Sequence, residues 1–183
     1  MTVTTETGER EGARAVRVQT IYRSPIGELL LVADERALLE LRLPEAFGGR
    51  ASGEAAVDAR GGAPVLAEAI AQLDGYFAGT RTRFDLGLEP AGTPFQQQVW
   101  RALADIAYAT TDSYGSVAAQ IGNPKASRAV GMANNRNPLP IVLPCHRVIG
   151  ASGRLVGYGG GLEMKRWLLD HEAAVAGRPV RSS

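Results

Sequence analysis

The residues best suited to covalent chemistry lie in one stretch, Ile141 to Gly150. It holds the only cysteine of the chain, Cys145, directly beside His146, one of two histidines. A thiol becomes a strong nucleophile when it loses its proton, and a nearby imidazole is a common base for that step. Four apolar residues precede the cysteine, which predicts a buried strand that presents the pair at its end, and Pro144 stiffens the backbone there. Two interpretations stay open from the pair alone: an activated nucleophile, or a small buried residue with an incidental histidine neighbour.

A carboxylate falls on the apolar face of the last predicted helix. Glu172 stands four residues after Leu168 and eight after Met164, which places all three on one side of a helix. A buried carboxylate needs a partner inside the protein. The alternative is an exposed residue at a frayed helix end, next to His171.

Two short helices are predicted upstream, over residues 116–121 and 125–133. Gly122 ends the first, Asn123 caps the second, and Pro124 takes its first position. Such a pair is typical of a helix-turn-helix, although short helix pairs also fill ordinary cores. The second helix and the residues after it carry basic and polar side chains and no acidic one: Lys125, Ser127, Arg128, Asn134 and Arg136. This composition favours DNA contact over packing.

The start of the C-terminal domain is signalled by a helix cap. Thr93 is a predicted N-cap, Pro94 occupies the first helical position, and Gln96 follows three residues after the cap. We expect a mostly helical, winged-helix-like domain over residues 91–174 and a tail over 175–183.

The N-terminal half reads as a small α+β domain over residues 18–90, preceded by a disordered leader over residues 1–17. Alternating apolar residues predict an antiparallel sheet, and apolar residues at i, i+4, i+7 and i+11 predict one helix. The predicted elements are strands over 18–23, 28–33 and 37–43, a long loop over 46–63, a helix over 66–77 ended by Gly79, and a last strand over 84–88. The fold class predicted for the whole chain is therefore α+β.

Composition excludes several classes of protein. The chain has 183 residues, 45% of them hydrophobic, which suits one large or two small domains. A single cysteine allows no internal disulfide, and with two histidines it cannot form a four-ligand zinc site. No apolar run is long enough to span a bilayer, so we expect a soluble intracellular protein, cytoplasmic or, in a eukaryotic host, nuclear. Residues 91–183 carry 10 Lys and Arg against 5 Asp and Glu, an asymmetry that suggests a polyanionic partner for that half, the commoner alternative being a solvated basic surface.

Taken together, these stretches closely resemble one known family. Residues 93–172 resemble the O6-alkylguanine-DNA alkyltransferases in a dense set of segments: TPFQQQVWRAL, SYGSVA, SRAVG, NP at Asn137-Pro138, PCHRVIG, GYGGGL and WLLDHE. The resemblance implies irreversible transfer of an alkyl group from O6 of guanine in double-stranded DNA to the protein, in a single turnover and without a cofactor. Activity on O4-alkylthymine stays open. A monomer is expected, and cooperative assembly on DNA also stays open.

The resemblance implies a role for each catalytic residue. Cys145 would accept the alkyl group, and His146 would act as its base through a water, since adjacent side chains on an extended segment point apart. Glu172 would orient His146. Asn137 would tie the helix-turn-helix to the active-site segment, the alternative being an ordinary turn. Tyr114 would donate a hydrogen bond to the damaged guanine, the alternative being a partly buried core aromatic.

The resemblance also implies how DNA and the damaged base are bound. Arg128 would enter the duplex and fill the gap left by the extruded base, the alternative being a phosphate contact. Tyr158 and the glycines around it would wall the base pocket. Gly159 stands where several family members carry serine, so a roomier pocket is predicted. The full predicted binding set is Tyr114, Lys125, Ser127, Arg128, Arg136, Val148, Tyr158, Gly159 and Gly160.

Some features of the family are not expected in this chain. With no cysteine besides Cys145, the N-terminal domain is predicted to be free of metal and to lack the four-cysteine cluster of the regulatory relatives. Two other functions stay open: a non-catalytic sensor of alkylated DNA, which in the family lacks the cysteine, and a winged-helix regulator with an incidental thiol.

Overall fold

The computed structural model describes residues 17–45, 48–50 and 64–179. Apart from residue 17, the predicted leader lies outside these ranges. So does the predicted loop over 46–63, except for residues 48–50. The N-terminal half contains a three-stranded antiparallel sheet with the order β1-β2-β3: β1 (Val18–Ser24), β2 (Gly27–Ala33) and β3 (Leu38–Arg42).

The central strand β2 is apolar on both faces. Leu29 and Leu31 point into the main core, whereas Leu30 and Val32 pack with Ile21 in a small second cluster. Successive side chains on a strand point to opposite faces, so β2 supplies both clusters at once. The predicted antiparallel sheet with a buried face is confirmed.

Helix α1 (Pro64–Phe77) buries one face against this sheet, and the predicted terminator Gly79 follows it in a turn, with a φ of +71°. The strand predicted over 84–88 is wrong. Only an isolated bridge joins Leu38 to Leu88. The Gln72 side chain bonds both backbone groups of Asp85, at 2.7 Å each, and so removes them from a strand ladder.

The C-terminal half is mainly helical. Its described elements are α2 (Pro94–Ala104), β4 (Asp112–Ser113), α3 (Tyr114–Gln120), α4 (Ser127–Asn135), a 3₁₀ turn (Cys145–Arg147), β5 (Val148–Ile149) and α5 (Gly161–Val175). The predicted cap of α2 is confirmed, because Thr93 and Gln96 form a reciprocal capping box. Strands β4 and β5 pair in parallel. None of the helices in the described residues is long and apolar enough to cross a membrane.

Helices α3 and α4 form the predicted helix-turn-helix, but α4 starts two residues later than expected. Asn123 does not cap it. Instead, the Asn123 carbonyl accepts a hydrogen bond from the Ala126 amide at 2.9 Å, which closes a turn that contains Pro124 and Lys125. Proline fits the second position of such a turn as well as the first position of a helix, and this explains the error.

The strand predicted to lead into Cys145 is also wrong, although the segment is buried as expected. Residues 138–144 turn repeatedly before the 3₁₀ helix begins. Pro138, Pro140 and Pro144 have no amide hydrogen to donate to a ladder, and Ile141 has a φ of +76°. The thiol is therefore carried by a tight turn.

Candidate active site

Cys145 lies at the wall of a cavity of about 240 Å³ and is 3% exposed. The cavity is also lined by Asn137, Tyr158 and Gly159, and by residues 40–43, which include the end of β3. Burial raises the pKa of the Cys145 thiol, while a hydrogen bond from Asn137 and the charge of Lys165 act in the opposite direction. The buried thiol thus needs a base close by.

His146 is fully buried and contacts Glu172, with 2.8 Å between Nε2 and Oε1. An ionised carboxylate only accepts, so the hydrogen-bond network assigns the imidazole proton to Nε2. The other nitrogen, Nδ1, is buried and has no hydrogen-bond partner among the described residues. Burial lowers the pKa of His146, against the pull of Glu172. The lowered pKa favours the neutral ring, in which Nδ1 carries no proton and can accept one.

The Cys145 and His146 side chains share no hydrogen bond in the described part of the chain. The prediction of an extended segment does not explain this, because the two residues lie in a 3₁₀ turn. The predicted water between them stays a prediction.

Glu172 is fully buried, so the alternative of an exposed helix end is wrong. Its Oε1 accepts hydrogen bonds from His146, from Tyr76 Oη at 2.9 Å and from Arg147 Nη2 at 2.9 Å. Its Oε2 accepts from the Ala109 amide at 2.9 Å and from Arg147 Nε at 3.0 Å. Burial alone would raise the pKa of this carboxyl, but His146 and Arg147 hold it well below its usual range.

Lys165 is a buried cation that the sequence reasoning missed. Its Nζ donates to the carbonyls of Val148 at 2.7 Å and Val156 at 2.9 Å. Burial lowers its pKa to about 8, and the Cys145 thiolate opposes that shift. Lys165 lies seven residues before Glu172 on α5, so the spacing that places Glu172 inside also predicts a buried lysine.

Asn137 links the end of the helix-turn-helix to the active-site turn. Its Nδ2 donates to the Leu143 carbonyl at 2.7 Å, and its Oδ1 accepts from the Leu139 amide at 3.0 Å. Asn134 adds a weaker bond of 3.4 Å to the Cys145 carbonyl. These contacts hold the turn against α4.

Tyr114 begins α3 and donates from its hydroxyl to the Val156 carbonyl at 3.1 Å. Burial, with Cys145 adding to it, raises its pKa, so the group stays protonated. Tyr158 has a buried hydroxyl without a hydrogen-bond partner in the described residues. Tyr158 lines the cavity with Cys145, and the charge of a Cys145 thiolate helps to raise the pKa of both tyrosines.

The glycines after Tyr158 differ in their surroundings. A Cβ at Gly160 would collide with the Met164 thioether and lie 3.1 Å from Leu43, so the backbone approaches its neighbours closely there. A Cβ at Gly159 would meet nothing within 4 Å. Gly159 therefore contributes only backbone atoms to the cavity wall, and the space beside it is open.

The predicted DNA-binding side chains outside the cavity lie on the surface. Lys125, Arg128 and Arg136 are exposed, and Ser127 is half-buried. Within the described ranges no hydrogen bond or ion pair engages the three basic side chains. The structure does not bring these residues into contact with Cys145.

Two family models match this chain in succession. The ribonuclease-like domain of 6-O-methylguanine DNA methyltransferase matches residues 18–90, and the DNA-binding domain of the same family matches residues 94–174. The chain belongs to the 6-O-methylguanine DNA methyltransferase family. The resemblance inferred from the sequence motifs is thus confirmed.

Individual relatives agree with the family models. A methylated-DNA–protein-cysteine methyltransferase of Methanosarcina acetivorans is 48% identical over 154 residues, 84% of this chain and 97% of that protein. One of Mycobacterium leprae is 49% identical over 155 residues, 81% and 88% of the two chains. The crystal structure of Mycobacterium tuberculosis OGT in complex with DNA has a TM-score of 0.75 and 47% identity, covering 85% of this chain and 92% of that one. The α+β fold with its helix-turn-helix is confirmed by this likeness.

The site also contains residues that the sequence reasoning did not assign. Arg147, Tyr76 and the Ala109 amide surround Glu172, and the charge of Lys165 lowers the pKa of Cys145. Arg147 directly follows the Cys-His pair, which is a local signal. Tyr76 and Ala109 are distant in sequence, and only the tertiary structure brings them to the carboxylate. No group of three or more His, Cys, Asp or Glu side chains in the described residues could hold a metal ion.

Proposed function

We propose that this chain repairs DNA by moving an alkyl group from O6 of guanine to Sγ of Cys145, once per molecule. The observation that carries the proposal is the buried Cys145 beside a buried His146 whose Nε2 contacts Glu172 and whose Nδ1 has no hydrogen-bond partner in the described residues. Family membership and the activity for which the relatives are named support the same chemistry.

The proposed reaction has four linked changes. His146 Nδ1 takes the thiol proton through a water, and the thiolate attacks the alkyl carbon. The bond from that carbon to O6 breaks, and its electron pair stays on guanine. Tyr114 donates a hydrogen bond that stabilises the leaving base. A thioether remains on Cys145, and because no group in the site is proposed to cleave it, the protein is used once.

We assign DNA binding to the helix-turn-helix. Arg128 would replace the extruded base in the stack, while Lys125, Ser127 and Arg136 would contact the backbone. Tyr158, Val148 and Gly160 would bound the base pocket. Gly159, with open space beside it, would admit alkyl groups larger than methyl.

We propose that two units divide this work, residues 18–90 and residues 91–174. A location with the genome, in the cytoplasm of a prokaryotic host, fits both the DNA substrate and a nucleophile that must stay reduced. The expectation of a monomer stays a prediction.

The test is to incubate the protein with a duplex that contains O6-methylguanine and to examine the Cys145 peptide by mass spectrometry. We expect one added methyl group per molecule, and Cys145→Ala should bind the duplex without transfer. Binding without any methyl on Cys145 would contradict the proposal and favour the sensor. Because the chain has a single cysteine, no other thiol can account for the signal.

A further inference from the structure

Tyr76 brings the N-terminal half of the protein into contact with the catalytic carboxylate. It lies in the last turn of α1, is 1% exposed, and donates from its hydroxyl to Glu172 Oε1 at 2.9 Å. That oxygen is the one that His146 Nε2 contacts at 2.8 Å. A residue far from the Cys-His pair in sequence therefore shares the acceptor that orients the base.

The tyrosine itself is held firmly from several sides. Its ring packs edge-on against Tyr108 at 6.1 Å and tilted against Phe84 at 5.6 Å, measured between centroids. Its backbone carbonyl lies 2.9 Å from Nε2 of His171, which is the residue directly before Glu172 on α5. Burial and the nearby Glu172 charge raise the pKa of Tyr76 well above its ordinary value, so its hydroxyl remains a donor. These contacts fix the hydroxyl relative to α5.

The other donors do not make this hydrogen bond redundant. Arg147 bridges the two carboxylate oxygens, and the Ala109 amide bonds only Oε2. Three side chains contact Oε1: those of His146, Arg147 and Tyr76. His146 and Arg147 are neighbours in the same 3₁₀ turn. Tyr76 is the donor to Oε1 that comes from a different element, so it can hold the carboxylate independently of the turn that reacts.

We infer that Tyr76 is a positioning residue for alkyl transfer, which keeps Glu172 Oε1 facing His146 while His146 takes up the thiol proton. The inference rests on the proposed function of Cys145. It assigns the N-terminal half a part in the chemical step, in addition to lining the cavity.

The test compares Tyr76→Phe with a matched control, Tyr22→Phe. Tyr22 is buried in the same half and donates its hydroxyl to the Asp74 carboxylate at 2.8 Å, so both changes remove one tyrosine-to-carboxylate hydrogen bond. The transfer rate at saturating O6-methylguanine duplex and the Kd for that duplex are measured separately. For Tyr76→Phe we expect the rate to fall about threefold to tenfold, the effect of losing one hydrogen bond, with an unchanged Kd. Tyr22→Phe should change neither.

A spectroscopic measurement separates positioning from general support of the fold. The Nε2 proton of His146 is buried and hydrogen-bonded, so its NMR resonance reports on the contact with Glu172. Tyr76→Phe removes the donor that holds Oε1 in place and should move this resonance, whereas Tyr22→Phe should not. Both variants are studied at a temperature where their melting curves show them folded.

Two outcomes are kept apart. A wild-type protein that places no methyl on Cys145 refutes the proposed function itself. The other outcome is that the wild-type protein transfers the methyl group, but Tyr76→Phe matches Tyr22→Phe in rate and leaves the His146 resonance in place. That result overturns only the role of Tyr76.

Discussion

The surroundings of Glu172 and the exposed face of α4 handle charge in opposite ways. Around Glu172, the charged and polar groups are buried and paired, and the carboxylate receives hydrogen bonds from four residues. On and beside α4, the basic side chains of Lys125, Arg128 and Arg136 are exposed, with no side-chain partner in the described ranges.

This difference follows from where each region finds its counter-charge. A charge removed from water must be compensated inside the protein, so the buried cluster is complete before substrate arrives. Basic side chains intended for a polyanion can stay solvated until it binds. Changes in the first region should therefore affect both stability and the chemical step, and changes in the second should affect DNA binding alone.

The largest effect is expected from Glu172→Gln. Loss of the charge leaves the buried Arg147 guanidinium without its ion pair, and breaking a buried pair costs about 3–5 kcal/mol of unfolding free energy. Alkyl transfer should also slow about a hundredfold, because His146 loses its carboxylate partner. Denaturant unfolding and single-turnover transfer measure the two effects.

Glu163→Gln is the control for that change, since Glu163 is exposed in the first turn of the same helix. It should alter the unfolding free energy by no more than about 0.5 kcal/mol. Equal losses in the two variants would mean that the buried cluster does not contribute as described.

Arg128→Ala should have the converse signature. We expect an unfolding free energy within about 0.5 kcal/mol of the wild type, because the side chain is exposed. Repair of paired duplex should fall about tenfold or more, whereas transfer from a free modified base should be preserved. Lys125→Ala should instead weaken binding to all duplexes and reduce its salt dependence. If Arg128→Ala slowed both substrates equally, Arg128 would not fill the gap of an extruded base.

Local patterns predicted those features that depend on neighbours in sequence. The Thr93 cap shows in three positions within four residues, and the burial of Glu172 follows from its spacing to Met164 and Leu168. Cys145 and His146 were identified from motif matches, which also depend only on residues that are neighbours in sequence.

Other features depend on packing between distant segments. Tyr76 and Glu172 are 96 residues apart, and the core stripe of α1 gives no sign that this hydroxyl reaches a carboxylate. The Gln72 amide captures the backbone of Asp85, which turns a sequence with strand-like alternation into an irregular segment. Four apolar residues before Cys145 resemble a strand, but a left-handed Ile141 between prolines directs the chain into a turn.

Lowering the pH should reduce the free energy of unfolding through the buried groups around Glu172, not through the exposed basic side chains on and beside α4. Burial lowers the folded pKa of His146, so on acidification the unfolded chain binds a proton first. The contribution of His146 to the free energy of unfolding is therefore fully present above the unfolded histidine pKa of about 6.5 and declines as the pH falls below it. Glu172, whose folded pKa is held low, adds a second loss below about pH 4.3.

Denaturant unfolding across this pH range measures the decline. His146→Asn should flatten the upper part of the profile, and Lys125→Ala should leave the whole profile unchanged. A wild-type stability that stays constant from pH 7 to pH 4 would contradict the lowered histidine pKa.

The smallest effect concerns backbone strain, which also distinguishes the two regions. The non-glycine residues with positive φ in the described chain are Ala109, at 56°, and Ile141, at 76°. Both belong to the buried region: the Ala109 amide bonds Glu172, and Ile141 precedes Cys145 by four positions. Strain of this kind persists where the surrounding structure fixes the backbone.

Ala109→Gly should relieve part of that strain. Alanine in the left-handed region costs about 1 kcal/mol, and the greater freedom of glycine in the unfolded chain offsets some of the gain, so we expect stabilisation of about 0.5 kcal/mol. The matched change Ala71→Gly, at an exposed position in the interior of α1, should destabilise by about 1 kcal/mol. Opposite signs for the two substitutions in thermal or denaturant unfolding would place the strain at the carboxylate cluster. Equal signs would show that the Ala109 backbone is unstrained and that the amide donor to Glu172 is held without conformational cost.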